Sequence, residues 1–184
     1  MKEELGGKNC LYPMPVTLVG ANVNGKPSYI TSAHVGIMDF SHICLSMGKI
    51  HHANEGIKDN GTFTVNIPST RLVKEADYRG LASERKSDNG APFNAFYGKL
   101  ETAPMILECP LNMECRLVNT VDMPNHDIFI GEIVESYCDE EYLVEGSVDF
   151  SRVNPIIFAM YSPFYFRLGE QFARAWNVGK EPKN

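Results

Sequence analysis

The chain has 184 residues, 43% hydrophobic and 22% charged, with a formal net charge of −6 and five cysteines. That length suffices for a sizeable core in one domain, and a negative balance without a basic cluster argues against nucleic acid as the main partner. No apolar run reaches the roughly 20 residues of a spanning helix, and the opening MKEELGGK lacks the apolar region of a signal peptide, so a cytoplasmic protein with no membrane partner is expected.

Residues 1–10 read as a flexible N-terminus and 11–184 as one domain. Residues 16–23 and 28–33 are β-rich runs joined across Asn24-Gly25, the strongest short hairpin signal. A third run, 43–47, is followed by Gly48, Lys49 and the pair His51-His52. A short helix then ends at Asn60-Gly61, and 63–67 alternates apolar and polar residues. Strands around one short helix, with a basic glycine-containing turn at its start, describe a cofactor cradle. Backbone N–H groups and the dipole at such a helix start suit a phosphate group. Ser69 or Thr70 caps a helix running to about Tyr78. The stretch 80–92 (GLASERKSDNGAP) is a polar, turn-rich loop of the kind that carries binding residues.

A second β region follows. Residues 95–102 form one strand, closed by Ala103-Pro104, and 113–121 form another. In the latter, Cys115, Leu117 and Asn119 share one face while Glu114, Arg116 and Val118 share the other. Pro124-Asn125 is a turn, 126–137 is a long strand with Gly131 at a bulge, and Asp139-Glu140-Glu141 is a solvated acidic turn. Residues 165–176 place Leu168, Phe172, Ala175 and Trp176 on one helical face. The pattern predicts a mainly β protein, a small barrel with α decoration. Cys10, Cys44, Cys109, Cys115 and Cys138 are odd in number with no C-x-x-C pair, which predicts free thiols, Cys44 being a small core residue.

The chain lacks G-x-G-x-x-G, Walker, G-x-S-x-G and H-E-x-x-H motifs, so a Rossmann dehydrogenase and a serine hydrolase are set aside. His34, His42, His51 and His52 lie within 30–54, with Asp39 among them. Imidazoles converging on one cavity would ligate a divalent metal or a haem iron, although their spacing matches no established ligand pattern.

YPMPVTLVGANVNGKP, GTFTVNIPST, YGKLETAPMILECPLNMECRLV, HDIFIGEIVE and LGEQFARAWNVGK occur in that order across 11–180. Together they resemble the flavin reductase-like family, in particular its flavoredoxin branch. The resemblance implies a split β-barrel and a homodimer with FMN held non-covalently near the interface. It also implies redox chemistry, as an NAD(P)H-dependent flavin reductase or as an electron carrier for a partner protein. Carried over residue by residue, it marks His126, in His-x-x-Phe-Ile-Gly-Glu, as the group that positions and polarises. Thr31, Ser32, Ala33 and His34 face the flavin, with Ser46 and Met47 beside them. Lys49, His51, His52, Ala53 and Asn54 surround the phosphate, while Phe158 and Tyr165 supply an aromatic contact.

The sequence departs from the family pattern at several of these positions. Ser28 stands for the usual Asn, His34 for Trp, Ser41-His42 for Pro-Pro, and Ala53 for a hydroxyl residue. Ser83-Glu84 replaces Ser-Gly, and Asp88-Asn89 replaces Asp-Lys. A member with a weakened or lost flavin site, acting as a binding protein, is therefore the alternative, together with the histidine-ligated metal or haem. Against the functional readings stand ordinary ones: His51-His52 as an exposed helix-start pair, Phe158, Tyr161 and Tyr165 as core or dimer contacts, and Trp176 as helix packing.

Overall fold

The computed structural model describes residues 1–81 and 93–180. Residues 1–10 are exposed and carry no regular structure. After β1 (Met14–Pro15), strands β2 (Thr17–Val23) and β3 (Lys26–Ser32) form the expected hairpin. Its turn residues Asn24 and Gly25 have φ of 52° and 78°, the left-handed region that Asn and Gly adopt most readily. β4 (Val35–Ile37) and β5 (His42–Gly48) pair next, followed by α1 (Ala53–Asn60). Gly61 ends that helix at φ 65°, its N–H returning to the Ile57 carbonyl at 2.9 Å.

β6 (Thr62–Ile67) leads to Ser69, whose Oγ accepts from the Arg71 N–H and caps a 3₁₀ turn, Thr70–Leu72. The turn runs directly into α2 (Val73–Leu81). Beyond it come β7 (Ala95–Phe96), β8 (Met105–Ile106) and the long pair β9 (Leu111–Asp122) and β10 (His126–Cys138). Next come a 3₁₀ turn (Glu140–Tyr142), β11 (Leu143–Val144), β12 (Ser147–Val148), α3 (Phe150–Val153), β13 (Ile157–Ala159), β14 (Phe164–Phe166) and a last 3₁₀ turn (Val178–Lys180).

Seven strands make one antiparallel sheet in the order β3-β2-β6-β9-β10-β5-β4, and β1, β13 and β14 make a second, smaller sheet. The large sheet curls into a half-barrel, giving a split β-barrel with helices on its surface. Val19, Leu45, Ile57, Phe63 and Phe129 fill its concave interior beside α1. Val16, Leu18, Tyr29, Ala76, Ile106 and Ile156 form a second core under α2. Each fully buried side chain of this size contributes about 1.5–3 kcal/mol.

The bulge expected at Gly131 is present as a register shift between Ile130 and Gly131 in the β10–β9 pair. A Cβ there would meet Phe63 Cζ at 2.3 Å, so the strand bends where the Phe63 ring is lodged.

Three expectations need correction. Only Ala95–Phe96 of the 95–102 stretch is strand, because the chain turns away to lay the Lys99 and Leu100 N–H groups on the Glu114 carboxylate, at 2.8 and 2.7 Å. Glu114, placed by alternation on a polar face with Arg116, is thereby fully buried and also accepts from Tyr137 Oη at 2.7 Å. The helix expected over 165–176 is absent: 164–166 is strand β14, and Phe172 and Trp176 are exposed without a helical face to bury. All five cysteines are free thiols, with Cys109 and Cys115 buried and Cys44 only partly so. Burial pushes the Cys115 thiol up to about 12. Among the described residues, no helix is long and apolar enough to cross a membrane.

Candidate functional site

A cavity of about 460 Å³ opens where the ends of β3 and β5, the C-terminal turn of α2 and the small sheet meet. The size falls within the usual range of ligand pockets. Thr31, Ser32, Ala33 and His34 form one wall as β3 runs out toward β4. Ser46, Met47 and Gly48 form the next, and antiparallel pairing of His126 with Gly48 delivers His126 from the start of β10 to the same rim. His51 follows from the turn after β5. A Cβ at Gly48 would stand 3.2 Å from His51 Nε2, so the absent side chain lets that imidazole lie close to the backbone. Asp77, Gly80 and Leu81 close the α2 side, and Phe158, Met160, Pro163 and Tyr165 close the side of the small sheet.

Three imidazoles, of His34, His51 and His126, stand in the polar lining. The His34 and His126 rings are 6.2 Å apart in an edge arrangement, and His34 Nε2 is 2.7 Å from Tyr12 Oη. Tyr12 in turn packs edge-on against Phe158 and Tyr161, with centroids at 6.0 and 6.2 Å. Burial holds His34 and His51 below the ordinary imidazole value, and the neighbouring His126 lowers both further. The lowering favours the neutral form of both rings, in which each offers one N–H donor and one acceptor nitrogen. Tyr165 Oη donates to Asp77 Oδ1 at 2.7 Å, and burial together with that carboxylate raises the phenol to about 12. Thr31 Oγ1 donates to the Ala76 carbonyl, so its hydroxyl fastens β3 to α2 and leaves its backbone on the cavity wall.

A second, more apolar cavity of about 410 Å³ adjoins the first. The two share Tyr12, Ala33, His34, Ser46 and His126, and the second adds Leu11, Val35, Cys44 and Ile128. The Tyr12–His34 contact thus stands in the partition between them.

The structure brings together Thr31, Ser32, Ala33, His34, Ser46, Met47, His51, His126, Phe158 and Tyr165. Other candidates lie elsewhere. Ser28 is buried within β3, and Ala53 is packed into the core. Asn54 is buried and donates to the Gly48 carbonyl at 3.0 Å, a structural duty. Lys49 is paired with Asp122, and His52 with Glu55 at 3.1 Å. At the start of α1, Asn54 N–H and Glu55 N–H bond the carbonyls of His51 and His52, which engages two of the donors expected to face a phosphate. Asn89, with Ser83, Glu84 and Asp88, lies outside the described residues.

The histidine cluster does not converge as a unit. His34 and His51 face the cavity, whereas His42, the first residue of β5, is held at 2.9 Å by Asp39 of the exposed β4–β5 connection. Among the described residues, no group of three His, Cys, Asp or Glu side chains is placed to hold a metal ion. Tyr12, Asp77, Leu81, Met160 and Pro163 were missed at the level of sequence. Nothing local marks them, since each reaches the cavity through contacts between distant parts of the chain.

Residues 9–156 match the model of the flavin reductase like domain. Among solved structures, the fold superposes on flavoredoxin from Methanosarcina acetivorans with a TM-score of 0.94 and 40% identity, covering 98% of each chain. It superposes on flavoredoxin of Desulfovibrio vulgaris (Miyazaki F) with a TM-score of 0.91 and 34% identity, covering 98% of this chain and 100% of the other. An FMN-binding protein from Thermus thermophilus with bound p-hydroxybenzaldehyde shares the fold at 18% identity and a TM-score of 0.77, over 95% of this chain and 97% of that one. The chain belongs to the flavin reductase-like family, and its function is flavin-related redox chemistry.

Proposed function

We propose that this chain binds FMN in the larger cavity and works as a homodimeric redox protein, reduced by NAD(P)H or by a partner protein. The observation that carries the reading is the cavity's division into two kinds of wall. Backbone from Thr31 to His34 offers polar groups along one side, while Leu81, Phe158, Met160 and Pro163 offer apolar surface on the other. A planar heteroaromatic ring with one polar edge matches that division. FMN, when bound, would supply the electron storage and hydride chemistry, and the protein its binding, orientation and electrostatics.

The roles of the chain's own residues follow from their positions. The 31–34 strip orients the ring edge, and Phe158 with Tyr165 limits its tilt. His51, at the rim, donates one hydrogen bond toward a phosphate there. His126 stands at the mouth, beside Gly48, where it orients whatever approaches the ring. His34, in the place of the family's Trp, replaces a stacking surface with a ring nitrogen tied to Tyr12. The departures at Ser28 and Ala53 fall outside the cavity and leave its lining unaltered.

The test is a visible spectrum of the natively purified protein, with FMN titration of any colourless fraction. Flavin bands, or saturable uptake, are expected. A hydrogen bond to a charged group is worth about 1.5–3 kcal/mol, so His51→Ala should weaken FMN roughly 10- to 100-fold. A colourless protein that takes up no FMN overturns the reading and favours a binding protein without a cofactor.

A further inference from the structure

At the 3₁₀ turn that precedes α2, away from the Asp77, Gly80 and Leu81 end of that helix that lines the flavin cavity, a separate pocket of about 320 Å³ is lined by Arg71, Arg152 and Arg167. Thr70, Ser151 and Asn154 contribute neutral polar groups to the same pocket. The three arginines come from segments far apart in sequence: the 3₁₀ turn before α2, helix α3, and the chain just after β14. Three guanidinium groups around one hollow run against the net charge of −6.

The carboxylates nearby do not neutralise them all. Asp149 approaches Arg152, with Oδ2 3.4 Å from Nε, and Arg152 Nη1 also donates to the Glu141 carbonyl at 3.2 Å. The Glu141 side chain bonds the Tyr142 hydroxyl. Among the described residues, neither Arg71 nor Arg167 forms a salt bridge.

The floor is built rather than accidental. Asn154 takes φ 48° as the C-cap of α3, and its Nδ2 donates to Thr70 Oγ1 at 2.8 Å while its carbonyl accepts from Thr70 N–H at 2.9 Å. A bridge between Ser69 and Pro155 continues the clamp, and Val153 is fully buried beneath. Arg167 is brought alongside by β14, which the Tyr165–Asp77 hydrogen bond ties to α2.

From this juxtaposition we infer a phosphate-binding site, distinct from the flavin cavity, in which Arg71 and Arg167 clamp the anion and Thr70, Ser151 and Asn154 line its base. Guanidinium groups bind phosphate through paired N–H donors, and the pocket's polar base suits a tetrahedral anion. The occupant is free inorganic phosphate or the phosphate of a nucleotide, and it bridges the 3₁₀ turn before α2 to the C-terminal segment.

The test follows arginine Nε–H signals by NMR in the full chain, assigned with Arg71→Gln and Arg167→Gln. Sodium phosphate and, separately, AMP are titrated against sodium chloride at matched ionic strength. Saturable shifts of the Arg71 and Arg167 signals are expected, with affinity falling at least tenfold in the double variant and FMN uptake unchanged. Tighter binding of AMP than of phosphate by tenfold or more supports the site with a nucleotide as its source. Shifts no different from those of chloride, or an affinity unaffected by the double variant, overturn it.

Discussion

His34 and His51 show how burial sets chemistry one residue at a time. Both imidazoles titrate below the ordinary value of 6.5, chiefly through burial and then through His126. Between their lowered folded values and the unfolded value, the unfolded chain binds more protons, so folding stability falls as pH falls through about 6.5. The loss levels off once the folded-state values are passed, and above the window the contribution is complete. Urea midpoints of flavin-free protein measured from pH 8 to pH 5 should show this decline, and His34→Gln with His51→Gln should flatten it. An unchanged slope in the double variant would mean that other groups carry the pH dependence. His126 and His51 were legible as site residues from the sequence, because a motif and a glycine-flanked turn mark them. Tyr12 was not, since its hydrogen bond to His34 spans 22 positions and leaves no local pattern.

At the level of elements, local chemistry and tertiary packing divide the outcome between them. The β2–β3 hairpin follows from Asn24-Gly25, and α1 ends at Gly61, because left-handed backbone is needed there and these residues adopt it readily. Gly131 has a different reason. Its missing side chain admits the Phe63 ring into the bend of β10, so Gly131→Ala should cost about 1–3 kcal/mol through overpacking. Equilibrium urea unfolding measures this, and a cost near zero would show that the bulge relaxes freely. Glu114 marks where alternation misleads. Period-two reading sends it outward with Arg116, yet the 97–103 segment folds over that face and supplies two backbone donors. The C-terminal stretch fails in the opposite sense: its 3.6-residue apolar spacing exists, but no neighbouring surface in the chain receives it.

Across the whole molecule, apolar surface is concentrated at the C-terminal end. Phe164, Phe166, Leu168, Phe172 and Trp176 are all exposed, the last two almost completely. Exposed apolar groups of this extent mark interaction surfaces, and we assign this one to a second copy of the chain, as the proposed homodimer requires. Sedimentation velocity should give a dimer for the parent protein. Phe172→Asp with Trp176→Asp should shift it to monomer with the far-UV circular dichroism unchanged, because neither side chain packs within its own chain. A monomeric parent protein would remove this assignment while leaving the cavity and its flavin test intact.

The sequence by itself determined six of the seven half-barrel strands, helices α1 and α2, the hairpin turn, the Gly131 bulge and membership of a flavin family, while β4 and α3 emerged only in the folded chain. The former rest on residues whose backbone preferences or ordered motifs can be read locally. Only the tertiary structure decided which candidates share a cavity. Ala53 and Ser28 are removed from it by burial in α1 and β3, and Asp77, Leu81 and Met160 are added to it by packing. It also decided the arginine pocket, whose members are separated by as much as the span from Arg71 to Arg167. The physical reason is the same in both cases: a site's walls are set by which distant surfaces exclude water together, and no single stretch of chain encodes that.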